Sequence, residues 1–82
     1  MYIHVGEDVM LRTNEIIAII DKASIQNSEE MHLFLQKRKK QLQQLGKSPY
    51  KSLVVTQNHI YLSPLASGTL KKRAILENTY DL

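Results

Sequence analysis

The stretch SLVVTQNHIYLSP, residues 52–64, predicts two antiparallel strands joined by a tight turn. Ser52 to Thr56 and His59 to Leu62 are rich in β-branched, aromatic and other apolar residues, and Gln57-Asn58 separates them. Asn is tolerated where a two-residue connection needs a positive φ. Because proline cannot donate a hydrogen bond to a sheet, Ser63-Pro64 should end the second strand.

Three further strands are predicted upstream of this hairpin. Residues 2–5 and 9–11 read as short strands on either side of the turn Gly6-Glu7-Asp8. The run Ile16 to Ile20 is continuously apolar, which is typical of a strand buried on both faces or covered in part by a neighbouring subunit. A chain of 82 residues has a small core, so we expect a homo-oligomer.

A long helix is predicted between the third and fourth strands. Residues 21–26 read as a loop, and Asn27 is a good N-cap with Glu30 three residues later, resembling a capping box. The helix should run from about residue 28 to residue 45, with a core-facing stripe, and Gly46 can close it in a left-handed conformation. The stripe consists of Met31, Leu35, Leu42 and Leu45.

A short helix should follow the hairpin. Ser67 can cap it, and Leu70 and Ala74 are spaced to bury one side while Lys71, Lys72 and Arg73 occupy the rest. The predicted fold class is α+β, a small, mostly antiparallel sheet with one long helix and a short C-terminal helix, in the order β-β-β-α-β-β-α. We expect a single domain over residues 1–76 and a frayed tail over residues 77–82.

The composition narrows the function classes. The chain has no cysteine, no basic-then-apolar leader and no apolar run of the roughly 20 residues that span a bilayer, so we expect a cytoplasmic protein. The net charge of +3 is unevenly spread. Residues 1–30 hold six Asp or Glu against two Lys or Arg, whereas residues 31–73 hold nine Lys or Arg and no acid. Such a basic block attracts polyanions, although solvated lysines also serve solubility.

Enzymatic chemistry has little support. The three histidines, His4, His32 and His59, match no ligand or triad spacing, and the three glycines form no phosphate-binding loop. We therefore expect no catalytic residue, no metal site, no cofactor and no small-molecule substrate.

Several stretches together resemble the RemA/RemB family of small bacterial regulators, most closely its RemB branch. They are MYIHVG at 1–6, IIAIID at 16–21, SLVVT at 52–56, IYLSPL at 60–65, and Ser67 followed by TLKKRA at 69–74. The resemblance extends from Met1 to Ala74 and is most specific in the last of these stretches, while residues 25–50 match only in character.

The resemblance implies a DNA-binding transcriptional regulator of extracellular-matrix and biofilm genes, assembled as a closed ring whose basic residues contact double-stranded DNA. One departure concerns the charges. In the RemA branch, arginines lie beside the start of the isoleucine strand and in the turn before the valine strand. Here Glu15 holds the first place, where it would repel phosphate, and in the turn GKSPYK at 46–51 only Lys47 and Lys51 keep a comparable charge.

The resulting candidate DNA-binding residues are Lys47, Lys51, Thr69, Lys71, Lys72 and Arg73. A helix start presents free N–H groups to anions, and the cations that follow could meet successive phosphates. Two alternatives stay open. The first is an oligomeric interaction partner of such a regulator that does not itself bind DNA, with the lysines serving solubility. The second, attachment of residues 69–76 to an anionic membrane, is weaker because that segment has no Trp or Phe anchor.

Overall fold

The computed structural model describes residues 2–47 and 49–80, with side chains up to Ala74. The described chain confirms the α+β class and contains, in order, β1 Tyr2–Gly6, β2 Val9–Arg12, β3 Ile16–Asp21, α1 Lys22–Gln26, α2 Glu29–Lys37, β4 Leu42–Gln44, β5 Ser52–Thr56, β6 Ile60–Ser63 and α3 Ser67–Tyr80. Short 3-10 turns at Thr13–Glu15 and Lys39–Gln41 lead into β3 and β4.

The strands form a two-stranded hairpin, β1-β2, and a four-stranded sheet in the order β3-β5-β6-β4. The predicted β5-β6 hairpin is confirmed, with Val54 opposite Tyr61 and Val55 opposite Ile60. The Thr56 amide closes its turn by donating to the His59 carbonyl at 2.9 Å. Asn58 does not use the positive φ allowed for it, since Glu7 is the one non-glycine residue with positive φ in the described chain. Strand β6 ends at Ser63, before Pro64, as predicted.

The four-stranded sheet is covered on both faces. On the hairpin face, β1, β2 and the start of α3 pack on the sheet through buried side chains: Ile3, Val5, Leu11, Leu45, Val54 and Leu70. On the helix face, α1 and α2 contribute Ile25, Met31, Phe34 and Leu35, which pack against Leu53, Val55 and Ile60 of the sheet. Strand β5 lies between two other strands and between both layers, so all five of its residues are buried.

The long helix predicted over residues 28–45 is wrong. Helix α2 ends at Lys37, and Leu42–Gln44 pairs parallel with β6, with Leu42 opposite Ile60. Four consecutive cations, residues 37–40, have no acidic partner within the segment, which weakens a helix there. The backbone bonds formed along the open side of β6 then favour a strand, because tertiary pairing overrides helix propensity. Two residues of the predicted stripe, Met31 and Leu35, pack in the core on the helix face of the sheet. The other two, Leu42 and Leu45, pack on opposite faces of the sheet.

The predicted start of that helix is also displaced. Residues 22–26, expected in a loop, form α1, whose N-cap Asp21 accepts a hydrogen bond from the Ala23 amide through Oδ2 at 2.9 Å. Asn27 ends α1, and Ser28 caps α2 by accepting from the Met31 amide through Oγ at 3.2 Å. The predicted capping box at residues 27–30 is therefore wrong. Gly46 does have a positive φ, +87°, but it follows β4 instead of a helix.

The C-terminal helix, predicted to be short, is the longest in the described chain, at 14 residues. It ends at Tyr80, and residues 81 and 82 lie outside the described residues, so the frayed tail and the 1–76 domain boundary stay predictions. No helix in the described chain is long and apolar enough to cross a membrane.

Burial of the isoleucine strand on both faces is not observed within one chain. Strand β3 is an outer strand of the sheet, and its pairing with β5 shifts between Ile16 and Ala18. The residue at this irregularity, Ile17, is 67% exposed. Cover by a neighbouring subunit therefore stays a prediction.

Candidate nucleic-acid interface

Four of the predicted DNA-binding residues lie on the first two turns of α3. Leu70 is fully buried in the core and Ala74 packs against the same cluster, which fixes the side of the helix that faces the protein. The residues between and before them therefore point outward. All four of these residues are exposed: Thr69, Lys71, Lys72 and Arg73.

The start of α3 differs from the prediction. Ser67 does not act as the cap; it is the first helical residue, and its hydroxyl donates to Oδ1 of Asp21 at 3.0 Å. The Leu70 amide bonds the Ala66 carbonyl. An Asp21 carboxylate at this distance complements the positive end of the helix and repels a second anion. The basic second turn is thus a better place for a phosphate than the helix start.

Arg73 has a fixed partner. Its Nη1 donates to the His4 carbonyl of β1 at 3.1 Å, which ties α3 to the β1-β2 hairpin. The side chain stays exposed. A guanidinium has five N–H donors in a rigid plane, so the remaining donors are held in position facing solvent.

Lys47 and Lys51 lie in the connection between β4 and β5, and both are exposed. The Lys51 amide donates to the Ser63 carbonyl at 2.8 Å, so this loop lies at the end of the sheet where the chain turns toward α3. Gly46 contacts the side chain of Glu7, whose Oε1 would be 3.1 Å from a Cβ at this position. Lys47 therefore directly follows a residue that packs against an acidic side chain. Lys51 is the better placed of the two lysines to bind a phosphate.

Buried serines fix this end of the sheet. The Ser63 hydroxyl donates to the Val5 carbonyl and accepts from the Leu65 amide at 3.1 Å, and the Ser52 hydroxyl donates to the Leu65 carbonyl at 2.7 Å. Satisfied hydroxyls of this kind hold a turn firmly, because an unmade bond at a buried site costs about 1–3 kcal/mol. The turn at Ser63-Pro64-Leu65 consequently positions the start of α3 at the end of the sheet where the β4–β5 loop also lies.

A second basic segment, residues 37–40, lies at the other end of the sheet. Arg38 donates from Nη2 to the Gln57 carbonyl at 3.0 Å, and its guanidinium lies 5.3 Å from the centre of the Phe34 ring. Arg38 therefore has a structural role, holding α2 against the β5-β6 turn. Nothing in the sequence indicates this contact, because the partners are 19 residues apart and one is a backbone carbonyl.

Glu15, the acid that departs from the RemA branch, lies at the opposite end of β3 from Lys51. It precedes β3 at the end where Ile16 pairs with Thr56, whereas Lys51 adjoins the end where Asp21 pairs with Ser52. The two ends of this six-residue strand are roughly 17 Å apart, about twice the Debye length at physiological salt. Glu15 therefore does little to weaken a phosphate contact made by Lys51.

The three histidines lie on different parts of the fold, His4 in β1, His32 in α2 and His59 just before β6. The ring of His4 bonds the Glu7 carbonyl, and His59 packs beside Tyr61 with ring centres 5.7 Å apart. Among residues that the structure describes, no group of three or more His, Asp or Glu side chains is arranged to hold a metal ion.

Comparison with known proteins identifies relatives over almost the whole chain. Residues 2–74 match the RemA-like family model, described as extracellular matrix regulatory protein A-like. The chain is also 45% identical over 75 residues, covering 90% of both chains, to extracellular matrix regulatory protein B of Bacillus subtilis (strain 168). The resemblance inferred from the sequence is confirmed. The chain belongs to the RemA-like family of extracellular matrix regulatory proteins.

Proposed function

We propose that this chain is a transcriptional regulator that binds double-stranded DNA as a homo-oligomer through the phosphate backbone. The observation that carries the proposal is the exposed basic second turn of α3, with Lys71, Lys72 and Arg73 held outward by the buried Leu70. The membership of a family of matrix regulators supports the same conclusion.

Phosphate contact suits this surface better than base readout. Lysine is a flexible point charge, and each phosphate that it neutralises releases condensed counterions, which favours binding to any sequence. The exposed side chains at residues 69–73 are three cations and a threonine, all of which can bind phosphate oxygens. Such contacts fix position on the duplex without specifying bases.

Assembly into an oligomer compensates for the small basic surface of a single copy in binding DNA. One copy presents Lys71, Lys72 and Arg73 on α3 together with Lys51 nearby, which gives only a few phosphate contacts. Repetition of the same surface around a ring multiplies the contacts along one duplex, and linked sites bind with a high effective concentration. Target choice then depends on the shape and deformability of DNA over several turns.

The double replacement Lys71→Ala/Lys72→Ala tests the proposal and leaves the contact of Arg73 with β1 in place. We expect weaker binding to all random-sequence duplexes, because fewer phosphates are neutralised. The salt slope should be flatter by about 0.9 for each phosphate that a bound subunit no longer neutralises. Gel-shift titration at several salt concentrations measures both quantities, and light scattering on the same sample reports the oligomer.

Matched single replacements control for the loss of charge. Lys72→Ala and Lys37→Ala each remove one exposed lysine from a helix, at opposite ends of the sheet. Lys72→Ala should lower affinity more. A folded, assembled double variant with the parent's affinity and salt slope would remove α3 from the DNA surface and leave Lys47 and Lys51 as candidates.

A second candidate function, an oligomeric interaction partner that does not bind DNA, is favoured by the outer face of the β1-β2 hairpin. Tyr2 and Met10 are 50% and 52% exposed there. Arg12 donates from Nε to the Tyr2 hydroxyl at 3.0 Å, and this bond raises the pKa of the Arg12 guanidinium. Tyr, Met and Arg are enriched at protein interfaces. Absence of salt-dependent DNA binding by an assembled wild-type protein would favour this candidate.

A further inference from the structure

The two outer strands of the four-stranded sheet carry opposite charges at their starts. Strand β3 follows the turn that ends in Glu15, and β4 follows the turn that contains Lys39 and Lys40. In the described chain neither strand has a strand partner on its outer side. Both side edges of the sheet are therefore open to a second copy.

The two outer strands also run in the same direction. Strand β3 is antiparallel to β5, β5 is antiparallel to β6, and β6 is parallel to β4. Both starts consequently lie at one end of the sheet, with Glu15 on one side and Lys39 and Lys40 on the other. Two copies placed side by side in the same orientation bring these opposite charges together.

Glu15 also borders a cavity. A cleft of about 470 Å³ lies at the β3 start and the β5-β6 turn, and the exposed Ile17 gives it an apolar wall. Among the described residues, Glu15 is the one acidic side chain of this cleft. The other lining residues are Asn14, Thr56, Gln57, Asn58, His59 and Tyr61. A lysine side chain suits such a cleft, because its stem packs on apolar surface while its ammonium group approaches a carboxylate.

We propose that copies of this chain join head to tail, with the outer side of β4 against the outer side of β3 of the next copy and Lys39 and Lys40 beside the partner's Glu15. The inference rests on the proposed homo-oligomer and identifies the surfaces that form it. A head-to-tail contact repeated by a rotation closes into a ring.

The two symmetric arrangements differ in the charges that they bring together. Antiparallel pairing of β4 with the partner's β4 about its centre would place Lys39 opposite the partner's Lys47, whereas the same pairing of β3 would place Glu15 opposite the partner's Lys22 and leave β4 without a strand partner. Like charges across paired strands are destabilising. Pairing of β3 with β4 places unlike charges together at the strand starts and, in a closed ring, gives both outer strands of every copy a strand partner.

Charge reversal followed by mixing tests this contact. Glu15→Lys makes both outer strands basic at their starts, and Lys39→Glu/Lys40→Glu makes both acidic. Each variant alone should remain unassembled and sediment near the 9.5 kDa monomer mass. An equimolar mixture should regain a mass of several subunits, because each junction then joins one basic and one acidic strand start. Sedimentation velocity measures the masses, and circular dichroism reports folding.

The outcomes separate this inference from the proposed function. Asp8→Lys changes the charge as much as Glu15→Lys, in the exposed β1-β2 turn, and should leave the wild-type mass unchanged. If the folded charge-reversal variants assemble on their own as the wild type does, the β3–β4 contact is refuted. The proposal that the protein binds DNA is not affected by that result. A mixture that stays monomeric, including one in which a variant is unfolded, would also refute the β3–β4 contact. A monomeric wild-type protein would refute the homo-oligomer itself.

Discussion

Ile17 shows at the scale of one residue how an apolar run misleads. Five consecutive apolar residues indicate a strand buried on both faces, and four of the five are at least partly buried. Ile17 falls at the irregular pairing between Ile16 and Ala18, where an extra residue turns its side chain away from the sheet layers. No local pattern marks this position, because the irregularity depends on the pairing partner β5.

The replacement Ile17→Asp is therefore expected to leave a single chain folded. A surface substitution usually changes the free energy of unfolding by less than about 0.5 kcal/mol, whereas Ile25→Asp places a carboxylate in the core at a cost of several kcal/mol. Urea titration followed by circular dichroism at low protein concentration compares the two variants. Loss of folding by Ile17→Asp as well would mean that the fold requires cover of this residue by another copy.

At the scale of elements, the sequence predicts what local patterning determines. The β5-β6 hairpin and the β1 and β2 strands are correct because their apolar alternation and turn residues are close in sequence. Strand β4 is not predictable in this way, because a Leu- and Gln-rich segment favours a helix locally and only its distant partner β6 makes it a strand.

The candidate nucleic-acid interface likewise has one part that local sequence predicts and one part that it does not. The spacing of Leu70 and Ala74 predicts which side of α3 is buried, and hence the exposure of Lys71, Lys72 and Arg73. The carboxylate beside the helix start has no signal in the local sequence, because the Asp21–Ser67 hydrogen bond joins residues 46 positions apart.

Asp21 joins the starts of α1 and α3 and gives a prediction at this scale. In Asp21→Asn, the amide oxygen can still accept from the Ala23 amide, and the amide nitrogen can donate to the Ser67 hydroxyl, so stability should change little. Removing the charge should strengthen duplex binding roughly twofold per contacting subunit at low salt, from about 0.5 kcal/mol for a phosphate some 8 Å away.

Glu30→Gln is the matched control for Asp21→Asn, because it removes one exposed carboxylate from the other side of the sheet, on α2. Fluorescence anisotropy with a labelled duplex compares the two variants at several salt concentrations. Equal effects of the two replacements would show that net charge alone, and not the position beside α3, controls binding.

At the scale of the whole molecule, basic residues that form one block in the sequence lie in two separate places in the fold. Nine cations lie within residues 31–73, yet the fold places residues 37–40 at one end of the sheet and Lys47, Lys51 and the start of α3 at the other. One basic block in the sequence thus supplies two separate surfaces. The fold assigns one to the proposed contact with DNA and the other to the proposed contact between copies.

The dimensions of one copy set the expected dependence on duplex length. The described chain extends 38 × 24 × 22 Å, so one copy covers about 7–11 base pairs at the roughly 3.4 Å rise of B-DNA. A duplex of about 10 base pairs can engage one copy, and longer duplexes engage more until the oligomer surface is used up. Apparent affinity and the steepness of its salt dependence should therefore rise together with duplex length and then level off. Titration of random-sequence duplexes of about 10 to 60 base pairs measures both, and the Lys71→Ala/Lys72→Ala protein, assembled but lacking these cations, should show a shallower rise. A length-independent affinity of the assembled wild-type protein would contradict a repeated surface and indicate one DNA contact per oligomer.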